Sequence, residues 1–120
     1  MAKILFAEDS DTDYAYLADI LKNAAHQYVG VRNGEDAEAH AQREKFDLFI
    51  LDVIMPGKNG FQICRSLKRN PQTAGTPVII TTSKDSDSDK FWGEKQGADV
   101  YITKPFTPNQ LLAEINKVLN

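Results

Sequence analysis

Four short apolar runs, each ended by polar residues, alternate along this 120-residue chain with segments of helical periodicity. Apolar runs of this length between helices are typical of buried parallel strands, so the alternation predicts a sheet with helices on both faces. In such a sheet the ligand crevice lies outside the carboxyl ends of the strands. The polar residues are Glu8 and Asp9 after run 4–7, Asp52 after 48–51, Thr82 after 78–81, and Lys104 after 100–103.

The full pattern predicts five strand–helix units in a single domain over residues 1–120, with no output domain. The predicted strands are 3–8, 27–32, 47–52, 77–82 and 99–104; the predicted helices are 11–25, 35–44, 61–69, a segment that opens within 83–89 and runs to 96, and 108–119. Five such units predict an α/β fold: a doubly wound, five-stranded parallel sheet of the flavodoxin-like (βα)5 type, in the order 2-1-3-4-5. In that order Glu8, Asp9 and Asp52 follow neighbouring strands.

Composition narrows the class of protein. The chain has 17 acidic and 14 basic residues and a net charge of -3, which does not resemble the basic footprint of a nucleic-acid-binding protein. No apolar run approaches the roughly 20 residues of a membrane span, so we expect a cytoplasmic protein without membrane contacts. Cys64 is the only cysteine, which excludes an internal disulfide and a cysteine metal cluster.

The three clustered acids predict a cation site. Neighbouring carboxylates raise one another's pKa unless a positive charge compensates them. Because the set offers only oxygen ligands, it favours Mg²⁺, or Mn²⁺, over zinc and copper. Magnesium usually keeps waters and a phosphate oxygen in its shell, which leaves room for a phosphorylated ligand. Lys104 and Thr82 would add a positive charge and a hydroxyl donor for that phosphate.

Other phosphate-binding classes fit less well. A flavodoxin-type FMN module needs small residues and backbone donors in its first loop, where Glu8, Asp9 and Asp11 would repel the phosphate. The Gly-x-x-x-x-Gly-Lys-Ser/Thr motif of P-loop hydrolases is absent. A haloacid-dehalogenase-like phosphatase places a second aspartate two residues after its nucleophile, and that position holds Ile54.

The site residues resemble those of response-regulator receiver domains of the single-domain, CheY-like type. The matching residues are Glu8 and Asp9, Asp52, Met55-Pro56-Gly57, Gly60, Thr82, and Lys104-Pro105-Phe106. The resemblance implies that Asp52 accepts a phosphoryl group from the phosphohistidine of a histidine kinase or its phosphotransfer domain. It also implies Mg²⁺ ligation by Asp9, Asp52 and the carbonyl of Ile54, with Glu8 acting through a bound water. Lys104 would contact the phosphoryl group, positioned by a cis bond to Pro105.

The resemblance further assigns a switch to Thr82 and Tyr101. The Thr82 hydroxyl would turn towards the phosphate while Tyr101 moves inward on the face of the fourth and fifth units, the 4-5 face. That face would bind an effector protein. The chain is expected to be a signalling phosphoreceiver that assists its own phosphotransfer and dephosphorylation, and not an enzyme, and to be a monomer or weak dimer. A phosphate sink for a shared kinase and a non-phosphorylated scaffold with the same fold are the alternatives.

Two features depart from the commonest pattern or vary within it. Glu8 replaces the commoner aspartate, and its longer side chain should still reach a metal-bound water. Ile54 and Lys84 occupy variable positions that the family associates with dephosphorylation rate. Because Ile54 offers no polar group to an attacking water and Lys84 can shield the site, we expect slow self-dephosphorylation.

A narrower resemblance links the fourth helix to receivers of type IV pilus (twitching or phototaxis) chemosensory systems. It lies in Lys84-Asp85, Asp89-Lys90, Trp92-Gly93 and Gln96-Gly97-Ala98. In the same helix, Phe91 and Trp92 are interpreted as packing partly into the core in preference to anchoring a partner. Gly93 is unfavourable inside a helix; either it permits the close approach of a partner or neighbouring helix, or it is simply tolerated. Gly97 is a candidate C-cap.

Overall fold

The computed structural model describes the whole chain, Met1–Asn120, as five strands alternating with five helices. The strands are β1 (Lys3–Ala7), β2 (Gln27–Val31), β3 (Leu48–Asp52), β4 (Val78–Thr82) and β5 (Val100–Thr103). The helices are α1 (Asp11–Asn23), α2 (Gly34–Arg43), α3 (Gly60–Arg69), α4 (Asp87–Lys95) and α5 (Pro108–Leu119). Each predicted element is therefore present, within a few residues of its predicted bounds.

The strands form one parallel sheet in the order β2-β1-β3-β4-β5, which confirms the predicted doubly wound topology. The central register pairs Phe6 with Ile50 and Ile50 with Ile79. β1 and β3 are neighbours whose connections leave in opposite directions, so the switch point of the sheet lies between them. β2, which carries no candidate site residue, is an edge strand.

Alternate residues of the central strands pack into two separate cores. On β3, Phe49 and Leu51 face the helices α2 and α3, where they join buried residues such as Ile63. Leu48 and Ile50 face the other way, towards α1 and α5. Because both faces of the sheet are covered, these strands read as continuous apolar runs.

Local capping residues decide where the helices begin and end. The Ser10 side chain accepts a hydrogen bond from the Asp13 amide and starts α1. Asn59 and Thr107 form capping boxes with Gln62 and Gln110 at the starts of α3 and α5. Gly97 has a φ of +97° just beyond α4, the left-handed conformation that a helix end requires.

The structure corrects the interpretation of Phe91 and Trp92 as partly core-packed residues. Their side chains are 56% and 53% exposed on the outer face of α4. The adjacent Gly93 carries the packing instead: a Cβ there would lie 2.8 Å from a ring carbon of Tyr101. The helix thus approaches β5 through its glycine, which turns the two aromatic side chains towards solvent.

No helix of the fold combines the length and apolar character needed to cross a membrane.

Candidate functional site

Three carboxylates converge beyond the carboxyl ends of β1 and β3. Glu8, Asp9 and Asp52 each offer an oxygen, and these oxygens all lie within 4.8 Å of one another. Glu8 is fully buried, Asp52 is nearly so, and Asp9 is exposed. They meet because β1 and β3 are adjacent in register, as the strand order predicted.

Lys104 reaches this cluster from the end of β5. Its Nζ atom lies 2.8 Å from Glu8 Oε2, 2.8 Å from Asp13 Oδ2 and 3.4 Å from Asp52 Oδ2. The Lys104 amide donates to the carbonyl of Thr82, which ties the residue to the end of β4. The bond between Lys104 and Pro105 is cis, as the resemblance implied.

Asp13 is a member of this ion-pair network that sequence reasoning missed. It lies in the first turn of α1, four residues after Asp9, and its side chain is partly exposed. A signal was present, because a residue one turn into a helix that starts at this edge can point back towards it. Asp13 shares the ammonium group of Lys104 with Glu8 and Asp52.

Burial and charge perturb the two most enclosed groups of the site. Burial raises the pKa of Glu8 to about 8, and the neighbouring Asp52 carboxylate adds to the increase against the opposing effect of Lys104. Burial alone would lower the pKa of Lys104, but hydrogen bonds to Asp13 and Glu8 outweigh it and raise that pKa. The Lys104 ammonium group therefore stays charged, whereas the pKa of Glu8 lies close to neutral pH.

The donor set fits a hard divalent cation. Glu8 Oε1 is buried and has no hydrogen-bond partner, an arrangement that is costly without a compensating group. Carboxylate oxygens that converge without nitrogen or sulfur ligands match the preferences of magnesium and manganese. The cluster is thus able to hold a metal.

The loop after Asp52 is fixed by close backbone approaches. A Cβ on Gly60 would lie only 2.2 Å from the carbonyl oxygen of Asp52, so only glycine allows α3 to start there. Gly57 has a φ of +73° beside Glu35, whose carboxylate accepts from the Lys58 amide at 3.1 Å. These contacts hold the chain around Asp52, whereas the Ile54 side chain between them is 55% exposed.

Thr82 and Tyr101, the predicted switch pair, are joined through one backbone segment. The buried Thr82 hydroxyl accepts from the Lys84 amide at 3.3 Å, and the Tyr101 hydroxyl donates to the Lys84 carbonyl at 2.8 Å. Burial, together with Asp89 and Asp85, raises the pKa of Tyr101 to about 12, so its hydroxyl remains a donor. Lys84 therefore contributes its backbone amide and carbonyl to the site, a role that cannot be inferred from its residue type.

A cavity of about 510 Å³ opens beside Glu8 and Lys104, on the α1 side of the acid cluster. Its lining includes Glu8, Asp13, Tyr16, Lys104 and Phe106. The Tyr16 hydroxyl donates to the Phe106 carbonyl at 2.7 Å and closes the wall between α1 and the segment before α5.

Residues 4–116 match the family model described as the response regulator receiver domain. The chain belongs to this family. The receiver domain is 45% identical over 119 residues to Protein PilH of Pseudomonas aeruginosa, a similarity that covers 99% of this chain and 98% of that protein. It is also 34% identical to the alkaline phosphatase synthesis transcriptional regulatory protein PhoP of Bacillus subtilis, but spans only 48% of that longer protein.

Solved structures agree with this assignment. The receiver domain superimposes on the chemotaxis response regulator CheY4 of Vibrio cholerae with a TM-score of 0.93, at 33% identity and 99% coverage of both chains. The BeF3-activated DrrB receiver domain gives a TM-score of 0.88 at 32% identity, with 99% and 97% of the two chains covered. The CheY-like fold and the role of a two-component receiver domain follow from these matches.

Proposed function

We propose that Asp52 is the phosphoacceptor of this receiver domain and that a histidine kinase or its phosphotransfer domain is the donor. The position of Asp52 is the observation that carries the proposal: a nearly buried carboxylate at a strand end, 3.4 Å from the Lys104 ammonium and beside two further acids. In the transfer, an oxygen of Asp52 forms a bond to phosphorus as the phosphorus–nitrogen bond of the phosphohistidine breaks. The bonding electron pair leaves on the imidazole nitrogen.

The protein's contribution to this transfer is positioning and charge. Phosphoryl transfer needs little covalent chemistry beyond the nucleophile, and charge spreads over the equatorial oxygens in the transition state. Lys104, whose raised pKa keeps it charged, neutralises part of that charge. The fixed loop after Asp52 holds the nucleophile in place.

Asp9, Asp52 and the Ile54 carbonyl would hold Mg²⁺, with Mn²⁺ as a substitute, and Glu8 would act through a bound water. The partnerless Oε1 atom of Glu8 supports its place in this set. When bound, the cation supplies further neutralisation of the phosphoryl oxygens.

The output is a change of the 4-5 face that alters its affinity for an effector protein. Thr82 and Tyr101 carry the change, because both depend on the Lys84 backbone and Thr82 lies at the end of the strand next to Asp52. A hydroxyl that turns to a phosphate on Asp52 gives up its bond from the Lys84 amide, which frees the segment that Tyr101 holds.

We propose further that the protein serves a pilus-motility chemosensory system in the cytoplasm and hydrolyses its phosphoryl group slowly. The 45% identity to Protein PilH, together with the residues of α4 that resemble pilus-system receivers, supports the first assignment. The exposed, apolar Ile54 beside Asp52 supports the second, because it offers an attacking water no hydrogen-bond partner.

The test is labelling with acetyl phosphate in Mg²⁺, followed by intact-protein mass spectrometry. We expect the wild type to gain one phosphoryl group, Asp52→Asn to gain none, and EDTA to prevent labelling. Asp19→Asn, which removes an exposed acid of α1 that forms no ion pair, is the control and should label normally. Failure of the wild type to label with magnesium present, or equal labelling of Asp52→Asn, would contradict the proposal.

A further inference from the structure

The exposed aromatic pair of α4 is not used by the acceptor site. Phe91 and Trp92 expose 56% and 53% of their surfaces side by side. Single exposed apolar residues are common on protein surfaces, but adjacent aromatic residues rimmed by charge are typical of interaction sites. Aromatic and arginine side chains are also enriched where proteins meet.

These rings form one wall of a groove between α3 and α4. The groove encloses about 490 Å³, and four cationic residues line it: Arg65, Lys68, Arg69 and Lys95. Lys95 Nζ lies 5.4 Å from the centre of the Phe91 ring. The groove lies on the α3 side of α4, and none of the acids around Asp52 lines it.

Lys68, at the floor of the groove, is held by hydrogen bonds, whereas the cationic side chains at the rim have no ion-pair partner. Lys68 donates to Asp99 at 3.0 Å and to the Thr76 carbonyl at 2.8 Å. Gly97 allows α4 to end against the Lys68 stem, because a Cβ there would lie 2.9 Å from Lys68 Cγ. Arg65, Arg69 and Lys95 form no ion pair, so their charges are available to a ligand.

The charges around the two rings differ in sign on their two sides. The α3 side is cationic, although the whole chain carries a net charge of -3. On the other side Asp87 and Asp89, from the first turn of α4, line a shallow pocket against the same two rings. Complementarity requires carboxylates on the α3 side alone, and the two aspartates disfavour a uniform polyanion such as a nucleic acid.

We propose that the groove between α3 and α4 binds an acidic segment of another protein. That segment presents an aromatic or aliphatic side chain to Phe91 and Trp92 and carboxylates to Arg65 and Arg69. The groove is already formed in the unphosphorylated chain, so binding does not require a phosphoryl group on Asp52. The proposed phosphoacceptor function and this surface can therefore fail independently.

Trp92 makes the binding measurable because it is the only tryptophan in the chain. The probe is a synthetic peptide of about 12 residues, roughly three helical turns, built from Glu, Leu and Phe. We expect a saturable change in Trp92 emission that weakens with added salt, as charge steering requires. A peptide with the same acids but Ser in place of Leu and Phe should bind weakly. No saturation below about 1 mM would overturn the proposal.

Charge reversal on the full chain locates the binding site. Arg65→Glu with Arg69→Glu should weaken peptide binding by about tenfold or more, since it turns attraction into repulsion. The control, Arg43→Glu with Lys45→Glu, makes the same charge change at two exposed residues beyond the groove and should leave the affinity unchanged. Equal effects of the two double variants would show that net charge alone controls binding, which contradicts the proposal.

Two other occupants are distinguished in the same series. Tighter binding of an oligothymidylate than of the acidic peptide would identify the groove as a nucleic-acid site. Self-association in sedimentation velocity that Arg65→Glu with Arg69→Glu abolishes would identify a second copy of the chain as the occupant. Either result overturns the proposal, and Asp52→Asn should bind the peptide as the wild type does.

Discussion

Glu8 is a buried carboxyl group whose charge is only partly compensated by its neighbours. It is fully buried, one of its oxygens has no partner, and the Asp52 carboxylate lies beside it. Lys104 compensates at 2.8 Å but divides its charge with Asp13 and Asp52. A fully satisfied buried carboxylate would keep its charge at acidic pH, whereas this one takes up a proton readily.

This arrangement predicts that the metal-free protein loses stability as the pH rises from about 5 to about 8. Folding raises the pKa of Glu8 from 4.5 to about 8, so the folded state binds the proton more tightly than the unfolded state does. The stabilisation is fully present below the unfolded pKa and is lost as the pH rises towards the folded one. One such group changes the free energy of unfolding by at most about 1.4 kcal/mol per pH unit.

Urea denaturation in EDTA across this pH range measures the effect. Glu8→Gln should remove the slope, and Glu94→Gln, at an exposed position of α4, should keep it. Mg²⁺ should reduce the loss in the wild type, because a nearby cation favours the carboxylate. Parallel pH profiles for the wild type and Glu8→Gln would rule out Glu8 as the cause.

Most residues of the site can be predicted from the sequence. Asp13 and the backbone contacts of Lys84 cannot be predicted in the same way. Glu8, Asp52 and Lys104 converge because parallel strands deliver their last residues to one edge. Asp13 escapes that reasoning because it lies in the first turn of a helix and not at a strand end, although a residue at that position can point back to the edge. The Lys84 contacts to Thr82 and Tyr101 are made by backbone atoms, which every residue type except proline supplies.

Among the elements, α4 is the one whose packing differs most from its sequence pattern. Helical spacing suggests that its aromatic residues face inward, yet β5 meets the helix at Gly93. Tyr101 fills the space that a side chain at residue 93 would need, so Phe91 and Trp92 are left on the surface. Periodicity locates an amphipathic face only when large residues, and not a glycine, form the contact.

Gly93→Ala is therefore expected to destabilise the protein by about 1–3 kcal/mol, the usual cost of overpacking. The same change in an open helix stabilises by up to about 1 kcal/mol, so the sign separates close packing from tolerance. The added Cβ would lie 2.8 Å from Tyr101 Cδ2 and 3.2 Å from Phe61 Cε1. Urea denaturation followed by circular dichroism measures the change.

Gly75→Ala is the control, because no atom beyond its own chain neighbours lies within 4 Å of the position its Cβ would take. It should alter the free energy of unfolding by no more than about 0.5 kcal/mol. A Gly93→Ala protein more stable than the wild type would show that the helix shifts away from Tyr101 without penalty.

Over the whole molecule, the sheet separates two apolar cores that share the same strands. Ile50 and Leu51 are consecutive residues of β3, both fully buried, and they face opposite cores. Both cores are built on the same hydrogen-bonded strands, so we expect them to be lost together on unfolding. The two layers follow from the apolar runs, because residues buried on both faces leave no polar alternation, whereas the strand order follows from the five successive strand–helix units.

Ile50→Ala and Leu51→Ala should each lower the free energy of unfolding by about 2–5 kcal/mol. Each variant should still unfold in one transition, with coincident curves from circular dichroism and Trp92 fluorescence. Ile54→Ala, at a side chain that is 55% exposed, should cost far less. Separate transitions for the two probes would mean that the layers unfold independently.

The common direction of the five strands also gives the molecule two chemically different ends. The site groups occupy the end where the strands finish, whereas the connections 24–26, 44–47, 70–77 and 96–99 lead into the strands at the opposite end. The longest of these contains Gly75, which has open space around it. This end is therefore suited to attachment: a dye, tag or surface linkage placed there leaves the end with the site groups facing solution.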